Sequence, residues 1–489
     1  MNAALAMATA AGAARLLKRG LLPATMALAL AGCAFEAPTK PPALPDPARY
    51  TAAPLPADTV AADGTAQHFS LGERPVPQWW RRYGSETLDA WIDEGLRNSP
   101  TLESAGHALA AARETLRGQI GAVELPTVDV QVQTERQRAL GLPAFGQPTN
   151  LYNVYTGQLA LSYDLDLSGA ARYGIAQVTA QVDRQSFELD TARRTLAANI
   201  VMAAISAASA DAQRQAAERL AALAHSRGDI AARARGLGAA SPADVLTVQQ
   251  EAASLDAALP ALRAQTQRAR HALAVLMGRS PDQAPPVLPL DDLRLPDDVP
   301  VSVPSELLHQ RPDVLAAEAG VRISAAQIGV ATANLFPQIS LSASFGTGAF
   351  TPPNLFSAAG AIWGAGLSIA QPIFHGGELR AQRRAAMENY DASLAQYRQT
   401  VLNAFQNVAD TLTALHEDAQ ALQSARQAAD AARASFELAD ARYRLGAVAY
   451  PEQVLAEQQW QNAQQAVIQS RAARLSDTAG LFQAMGSPP

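Results

Sequence analysis

The chain has 489 residues, a formal net charge of −6 and only 6% aromatic residues, a composition that suits long helices better than thick globular cores. Its only lysines, Lys18 and Lys40, lie close to the N-terminus, which excludes a Walker A loop or a Schiff-base lysine in the body of the chain. The acidic balance lacks the basic footprint of a nucleic-acid-binding protein, so no nucleic-acid partner is expected.

Residues 1–32 have the pattern of a secretory signal. Basic residues precede an apolar run over 21–30, as in signals that are removed after export. The run ends in Leu-Ala-Gly before Cys33, the chain's single cysteine, which is the pattern of a bacterial lipoprotein signal. We therefore expect Cys33 to become the acylated first residue, followed by a Pro/Ala-rich extended tether over 33–77. An ordinary signal with an unrelated cysteine is the alternative.

Beyond the tether, the pattern predicts a first unit at residues 78–280. Trp79 and Trp80 open it, either as core residues or as an assembly contact. Apolar residues at helical spacing then predict two helices, and strict alternation from about Pro126 predicts two strands. Apolar or small residues at steps of seven predict a long helix over about 171–235, on the order of 90–100 Å in length. A glycine-rich reversal and a return helix follow.

The same order of elements recurs after a proline-rich linker at residues 281–305. Residues 306–489 repeat the helix, strand, strand and helix at an offset of roughly 210 residues. Pro126 corresponds to Pro337, for example. The chain is therefore predicted to be a tandem duplication with four strands. No stretch after the signal is expected to reach the ~18 apolar residues of a spanning helix.

The predicted strands alternate apolar with polar residues, and Ser340, Ser342, Ser344 and Gln131 stand on the polar side. In an exported lipoprotein such strands suit an outer-membrane barrel, which must close so that no strand edge is unpaired. The smallest such barrels have about eight strands, so four cannot close alone. If the strands span the membrane, the chain must oligomerise, and a trimer that supplies twelve strands is one solution. We expect a mainly helical chain with a transmembrane β part, in which the long helices would continue such a barrel as a periplasmic tunnel.

The sequence resembles the outer-membrane efflux protein family, the TolC-like ducts, and within it the lipoprotein branch that serves resistance–nodulation–division multidrug pumps. The matching segments cover nearly all of the chain after the tether and include Asp164 to Gly169, Ile328 to Ala331 and Gln371 to Gly377. The resemblance implies a homotrimeric outer-membrane channel in contact with lipid. It would be a passive duct that receives its substrates from an inner-membrane pump and a periplasmic adaptor, with no enzymatic activity, no cofactor and no metal.

The resemblance also implies an adaptor-binding surface. In the family the adaptor docks at the tips of the helical hairpins. These map to Arg235, Gly236, Leu237, Gly238 and Ser241 in the first repeat and to Arg444, Leu445, Gly446 and Val448 in the second. The alternative is that the glycines only allow the chain to reverse.

A periplasmic constriction is the second site that the resemblance implies. The family commonly has Tyr-Leu-x-x-Leu-Asp-Ala-Gln just beyond the second turn, and the Asp forms an acidic ring. Here the stretch begins at Tyr450, with Pro451 at the first Leu position and Leu455 at the Asp position. We hypothesise an apolar gate at Leu455, with Glu452 one helical turn earlier as a displaced acidic ring. Packing of Leu455 between helices is the alternative.

Two rival functions belong to classes other than a channel: an enzyme and a structural lipoprotein. The seven histidines are scattered and lack the two-histidine helical spacing of a zinc site, which disfavours an enzyme. The other rival is a periplasmic helical lipoprotein scaffold without a pore, and the alternating strands disfavour it because a spacer has no use for them.

Overall fold

The computed structural model describes residues 49–52, 56–73, 76–140 and 149–487. The predicted signal, Cys33 and much of the predicted tether lie outside these residues. The chain forms two compact units. The strand unit comprises Ala110–Asp183 and Glu318–Gln396, and the helical unit comprises the described residues up to 109 together with 184–317 and 397–487. Each unit therefore takes segments from both predicted repeats.

The elements follow the predicted order in both halves of the chain. The helices are α1 (Glu86–Asn98), α2 (Pro100–Glu124), α3 (Ala170–Gly236), α4 (Pro242–Leu276), α5 (Pro304–Gln310), α6 (Pro312–Ala333), α7 (Glu378–Arg444) and α8 (Tyr450–Ala484). The strands are β1 (His68–Leu71), β2 (Thr127–Leu140), β3 (Thr149–Leu165), β4 (Asp298–Val301), β5 (Gln338–Ala349) and β6 (Ala361–Ala370). The predicted helix, strand, strand and helix of each repeat are confirmed.

The strand unit is built on a sheet with the order β2-β3-β5-β6. All of its neighbouring strands are antiparallel. The helical segments of this unit pack closely at Gly329 in α6, where an added Cβ atom would overlap the ring of Tyr173 in α3. Arg322 and Asp183 join the same two helices through an ion pair of 2.8 Å. Glycine at position 329 therefore allows a close approach that no larger residue permits.

The core of the helical unit contains both adjacent tryptophans. Trp79 and Trp80 are fully buried in a short 3-10 turn, Trp79–Tyr83. The ring of Trp79 stacks on that of Phe482 in α8 with centroids 5.1 Å apart, and the Tyr83 hydroxyl donates to the Leu475 carbonyl at 2.7 Å. The interpretation of the tryptophans as core residues is confirmed.

An N-terminal strap, defined here as residues 57–71, is packed rather than extended as a spacer. Its β1 pairs in parallel with β4 of the proline-rich linker, with His68 opposite Asp298. Gln67 is fully buried, and its side-chain amide donates to the Thr478 hydroxyl at 3.0 Å. Composition alone predicted an extended tether for these residues, and that description is wrong for the strap because β1 finds its hydrogen-bond partners in β4. The linker at residues 281–305 stays a prediction.

Two helices in the described part of the chain are apolar enough, by length and composition alone, to cross a membrane. Each of α3 and α6 contains an 18-residue window of mean hydropathy 1.3, so the expectation that no such stretch follows the signal is wrong on this criterion. Within the chain, 61% of that window is buried in α3 and 44% in α6. Packing inside the protein accounts for much of this apolar composition.

Candidate functional site: an exposed apolar sheet and the ends of the helical hairpins

One face of the β2-β3-β5-β6 sheet is apolar and exposed. The register aligns Val130 with Leu159, Leu159 with Phe345, and Phe345 with Trp363. Directly paired residues of an antiparallel sheet point to the same side, so these four side chains form one row across the sheet. Their exposed fractions range from 49% to 80%. A contiguous apolar surface of this kind marks contact with a membrane or with another protein.

The opposite face carries small and polar residues. The next row along the strands aligns Asp129, Ala160, Ser344 and Gly364. On the same side, the Gln158 side-chain amide donates to the Gln131 Oε1 atom at 3.3 Å. The rows through Ser340 and Ser342 pair them with Asp164 and Ser162. The predicted polar alternates therefore share one face, and the sheet is apolar on one side and polar on the other.

The two edge strands of this sheet are β2 and β6. An edge strand presents a row of backbone N–H and C=O groups to whatever lies beside it. In hydrocarbon each unpaired group costs several kcal/mol. If the apolar face contacts lipid, the sheet therefore requires additional strands beyond those described here.

Each helical hairpin reverses through the same backbone motif. At the end of α3, the Gly238 N–H donates to the Arg235 carbonyl and the Ala239 N–H to the Ala234 carbonyl. At the end of α7, Gly446 and Ala447 make the equivalent bonds. These are Schellman pairs, which need a residue at positive φ, and Gly238 and Gly446 have φ of 76° and 71°. The duplication predicted from sequence thus extends to the hydrogen bonds of the turns.

The predicted adaptor-contact residues lie together at the two hairpin ends. Leu237 and Leu445 are 86% and 85% exposed, and Val448 is half-buried while the other predicted contact residues are exposed. The return helices begin differently. Ser241 forms a reciprocal capping box with Asp244, and the Ser241 hydrogen bonds lower the pKa of Asp244. The N-cap of α8 is Ala449, which provides no side-chain cap.

The predicted constriction residues share one exposed face of α8. Pro451, Glu452 and Leu455 are exposed, whereas Tyr450, just before them, and Val454 are buried. These two buried residues pack on Val248 of α4, which fixes the direction in which the exposed face points. Leu455 is 56% exposed, so packing between helices of its own chain does not describe it.

A buried polar network that the sequence analysis missed lies directly behind this face. Arg227 of α3 forms an ion pair with Glu457 of α8, whose side chain is almost fully buried. The Tyr450 hydroxyl donates to the Glu251 Oε2 atom of α4 at 3.3 Å. Burial raises the pKa of Glu251 and, with Glu251 beside it, raises the pKa of Tyr450 to about 12. The network joins both hairpins. Its one signal in the sequence was Glu457, where the family motif has Gln.

A model of the family described as outer membrane efflux protein matches residues 91–279 and 303–487, which together make up most of the chain. The chain belongs to the outer membrane efflux protein family. It is 28% identical over 447 residues to the pyoverdine export outer membrane protein OpmQ of Pseudomonas aeruginosa, which covers 88% of this chain and 93% of OpmQ. It is 31% identical to the outer membrane protein OprJ of the same species, over 75% of this chain and 81% of OprJ.

The fold agrees with a solved member of this group. The structure of the outer-membrane channel OprN superposes with a TM-score of 0.80 at 27% identity, and the match covers 89% of this chain and 97% of that chain. The predicted family, fold class, function and location are thereby confirmed: the protein is an outer-membrane component of an efflux pump that extends into the periplasm.

The same relatives bear on the rival classes. They are export and channel proteins, and the absence of enzymatic activity in this chain stays a prediction. Across the described residues, no group of three or more His, Cys, Asp or Glu side chains is placed to hold a metal ion.

Removing Arg227 leaves the buried carboxylate of Glu457 without its cation. We expect Arg227→Ala to lower the free energy of unfolding by about 3–5 kcal/mol, the usual cost of an unpaired buried charge. The double substitution Arg227→Met with Glu457→Leu should recover most of this loss, because no isolated charge remains. Denaturant unfolding in detergent, followed by tryptophan fluorescence, measures the change.

The matched control is Arg433→Ala, which breaks an exposed ion pair with Glu437 on α7. Exposed pairs contribute at most about 1 kcal/mol. Equal losses for Arg227→Ala and Arg433→Ala would contradict the buried network.

Proposed function

We propose that three copies of this chain join through the edges of β2 and β6, close a twelve-stranded barrel in outer-membrane lipid, and form a passive duct. Substrates would enter from an inner-membrane transporter through a periplasmic adaptor. The observation that supports this most is the sheet, with an exposed apolar face, a polar opposite face and two edges that pair with no other strand of the described residues. The four described strands are fewer than the roughly eight of the smallest spanning barrels, so closure requires other copies.

The alternative of a periplasmic scaffold without a pore has weaker support. A spacer in water gains nothing from an apolar row that includes Phe345 and Trp363, which are both largely exposed. Such a surface would instead favour aggregation. The duct explains both the apolar row and the free edges.

The oligomeric state is the first test. Light scattering of the purified protein in mild detergent, corrected for bound detergent, should give the mass of three chains. A soluble monomer that needs no detergent would contradict the barrel and leave the scaffold in its place.

The intact mass of the denatured chain from the same preparation tests the acylation expected at Cys33. The mass added by acylation should be absent from Cys33→Ser.

The hairpin ends are the proposed surface for the adaptor. Leu237 and Leu445 are nearly fully exposed at the two tips, and rigid Schellman turns hold them there. An exposed apolar side chain on a rigid turn loses little entropy when a partner covers it.

Leu237→Asp and Leu445→Asp should each preserve the trimer and weaken adaptor binding. Burying an unpaired carboxylate in place of a leucine should cost about 2 kcal/mol or more, roughly a 30-fold loss of affinity. The readouts are crosslinking to the adaptor in cells and export-dependent resistance. Phe356→Asp, at an almost fully exposed position in the strand unit, is the control. Unchanged crosslinking in both tip variants would exclude this surface.

The exposed face of α8 is the proposed gate. Pro451, Glu452 and Leu455 share that face, and three copies would place three leucines and three glutamates around the duct. An apolar ring excludes water and ions by dewetting, and a ring of carboxylates attracts cations. The proposed closed state therefore combines an apolar barrier at Leu455 with an acidic ring at Glu452.

Leu455→Ser should raise the single-channel conductance of the reconstituted protein and make cells leaky to large antibiotics, because a hydroxyl removes the dewetted barrier. Glu452→Gln should lower the preference for cations without a comparable rise in conductance. Leu438→Ser on α7, which is 54% exposed against 56% for Leu455, is the matched control. Unchanged current and no leakiness in Leu455→Ser would refute the apolar gate.

A further inference from the structure

Two arginines lie where the apolar face of the sheet ends on β2. Successive side chains of a strand point to opposite faces, so Arg136 and Arg138 are on the same side of β2 as Val130 and Val132. Both arginines are exposed. They belong to the end of the sheet that is remote from the helices, because α2 leads into β2 and β3 leads into α3 at the opposite end. The apolar face therefore ends in two positive charges.

The depth of these arginines along the strands matches the surface of a membrane. Tyr155 and Tyr163 of β3 also lie on the apolar face, since each is an even number of residues from Leu159. With a rise of about 3.4 Å per residue and a strand tilt of about 40°, the two tyrosines are on the order of 20 Å apart in depth. Outer-membrane barrels carry such aromatic girdles at both edges of an apolar band about 25 Å tall. Arg136 pairs with Asn153, two residues beyond Tyr155, and so lies roughly 5 Å outside this band.

Among the described residues, no acidic side chain shares this end of the apolar face. Asn153 is opposite Arg136, and Leu151 is opposite Arg138, so both partners in register are neutral. Glu135 points to the polar face, where its Oε2 atom accepts a hydrogen bond from a glutamine amide at 3.5 Å. The nearest carboxylate along the strand is thus on the other side of the sheet.

The sequence also excludes a carboxylate from the segments around this end. Residues 136–163 and 338–377 contain no Asp or Glu, and they include both chain connections at the remote end of the sheet. A second copy of the chain joined at an edge strand would bring the same acid-free segments. The charges of Arg136 and Arg138 are therefore left for a ligand, because an arginine at this depth is favourable only where it meets water or an anion.

We propose that Arg136 and Arg138 bind the phosphate groups of a lipid in the outer leaflet of the membrane. A guanidinium is a planar fork that matches phosphate oxygens in a bidentate manner. The two Cα atoms are about 7 Å apart along the strand, which is close enough to serve one headgroup. The acyl chains would lie on Val130 and Val132, which are 75% and 80% exposed.

The lipid site rests on the proposed barrel. There the long helices extend into the periplasm, so the remote end of the sheet faces the outside. A lipid held by its phosphates at this end would fix the depth of the barrel in the membrane.

Native mass spectrometry of the trimer in detergent, with stepwise addition of diphosphorylated lipid A, tests the site. The same glycolipid without its phosphates should bind the wild type at least tenfold more weakly. Arg136→Gln together with Arg138→Gln should raise the apparent Kd for the phosphorylated lipid about 25-fold, because each basic residue at an anionic lipid surface contributes roughly a factor of five. The affinity for the lipid without phosphates should stay the same.

The matched control is Arg219→Gln together with Arg398→Gln, since both arginines are exposed on the long helices. This pair removes the same charge and should leave lipid binding unchanged. Inorganic phosphate at the concentration of the lipid should not compete, because it lacks the acyl chains that the apolar face holds. Competition by inorganic phosphate would assign the arginines to a free anion and overturn the lipid.

Equal affinity of the wild type for the two lipids would overturn the proposal, even if the glutamine variant failed to assemble. Equal binding of the phosphorylated lipid by the glutamine variant and the wild type would overturn it too. In both cases a mass of three chains in light scattering would leave the proposed duct intact. A soluble wild-type monomer would instead remove the duct and the lipid site together.

Discussion

Backbone groups in hydrocarbon must find hydrogen-bond partners, and this requirement explains more of the chain than any single contact does. It explains why the alternating strands cannot serve as an isolated sheet and why β2 and β6 need neighbours from outside. Since the apolar row runs across β2, β3, β5 and β6 in register, the proposed barrel would place one face in lipid at every one of these strands. Its polar face would line the enclosed space.

The duplicated chain repeats its backbone more closely than its side chains. The long helices α3 and α7 have the same length, 67 residues, as do α4 and α8, with 35. Both hairpins reverse through a glycine at positive φ. The side chains diverge where the two hairpins meet. Arg227 and Glu251 come from the first hairpin, and Tyr450 and Glu457 from the second, so the halves are complementary rather than identical.

Local sequence patterns predicted the helices and strands well, because the spacing of apolar residues, the turn residues and the helix caps act over only a few residues. The turns at the hairpin ends followed from such patterns, whereas the adaptor surface and the gate at Leu455 came from the resemblance to the family. Contacts between distant segments did not, because a residue such as Arg474 or Arg227 looks like any solvated helix residue until its partner is known. The parallel pairing of β1 with β4 was missed for the same reason, and proline content was read as an extended spacer.

The strap has a consequence for how the protein matures. Gln67 bonds Thr478 across 411 residues of sequence, and Arg474 is held by strap residues more than 400 positions away. Contacts between such distant positions form slowly, because the intervening chain must first be brought together. The strap therefore cannot complete its packing until α8 is present. Completion of the helical unit is deferred until α8 has been synthesised and exported, which leaves a long interval in which the chain needs protection from aggregation.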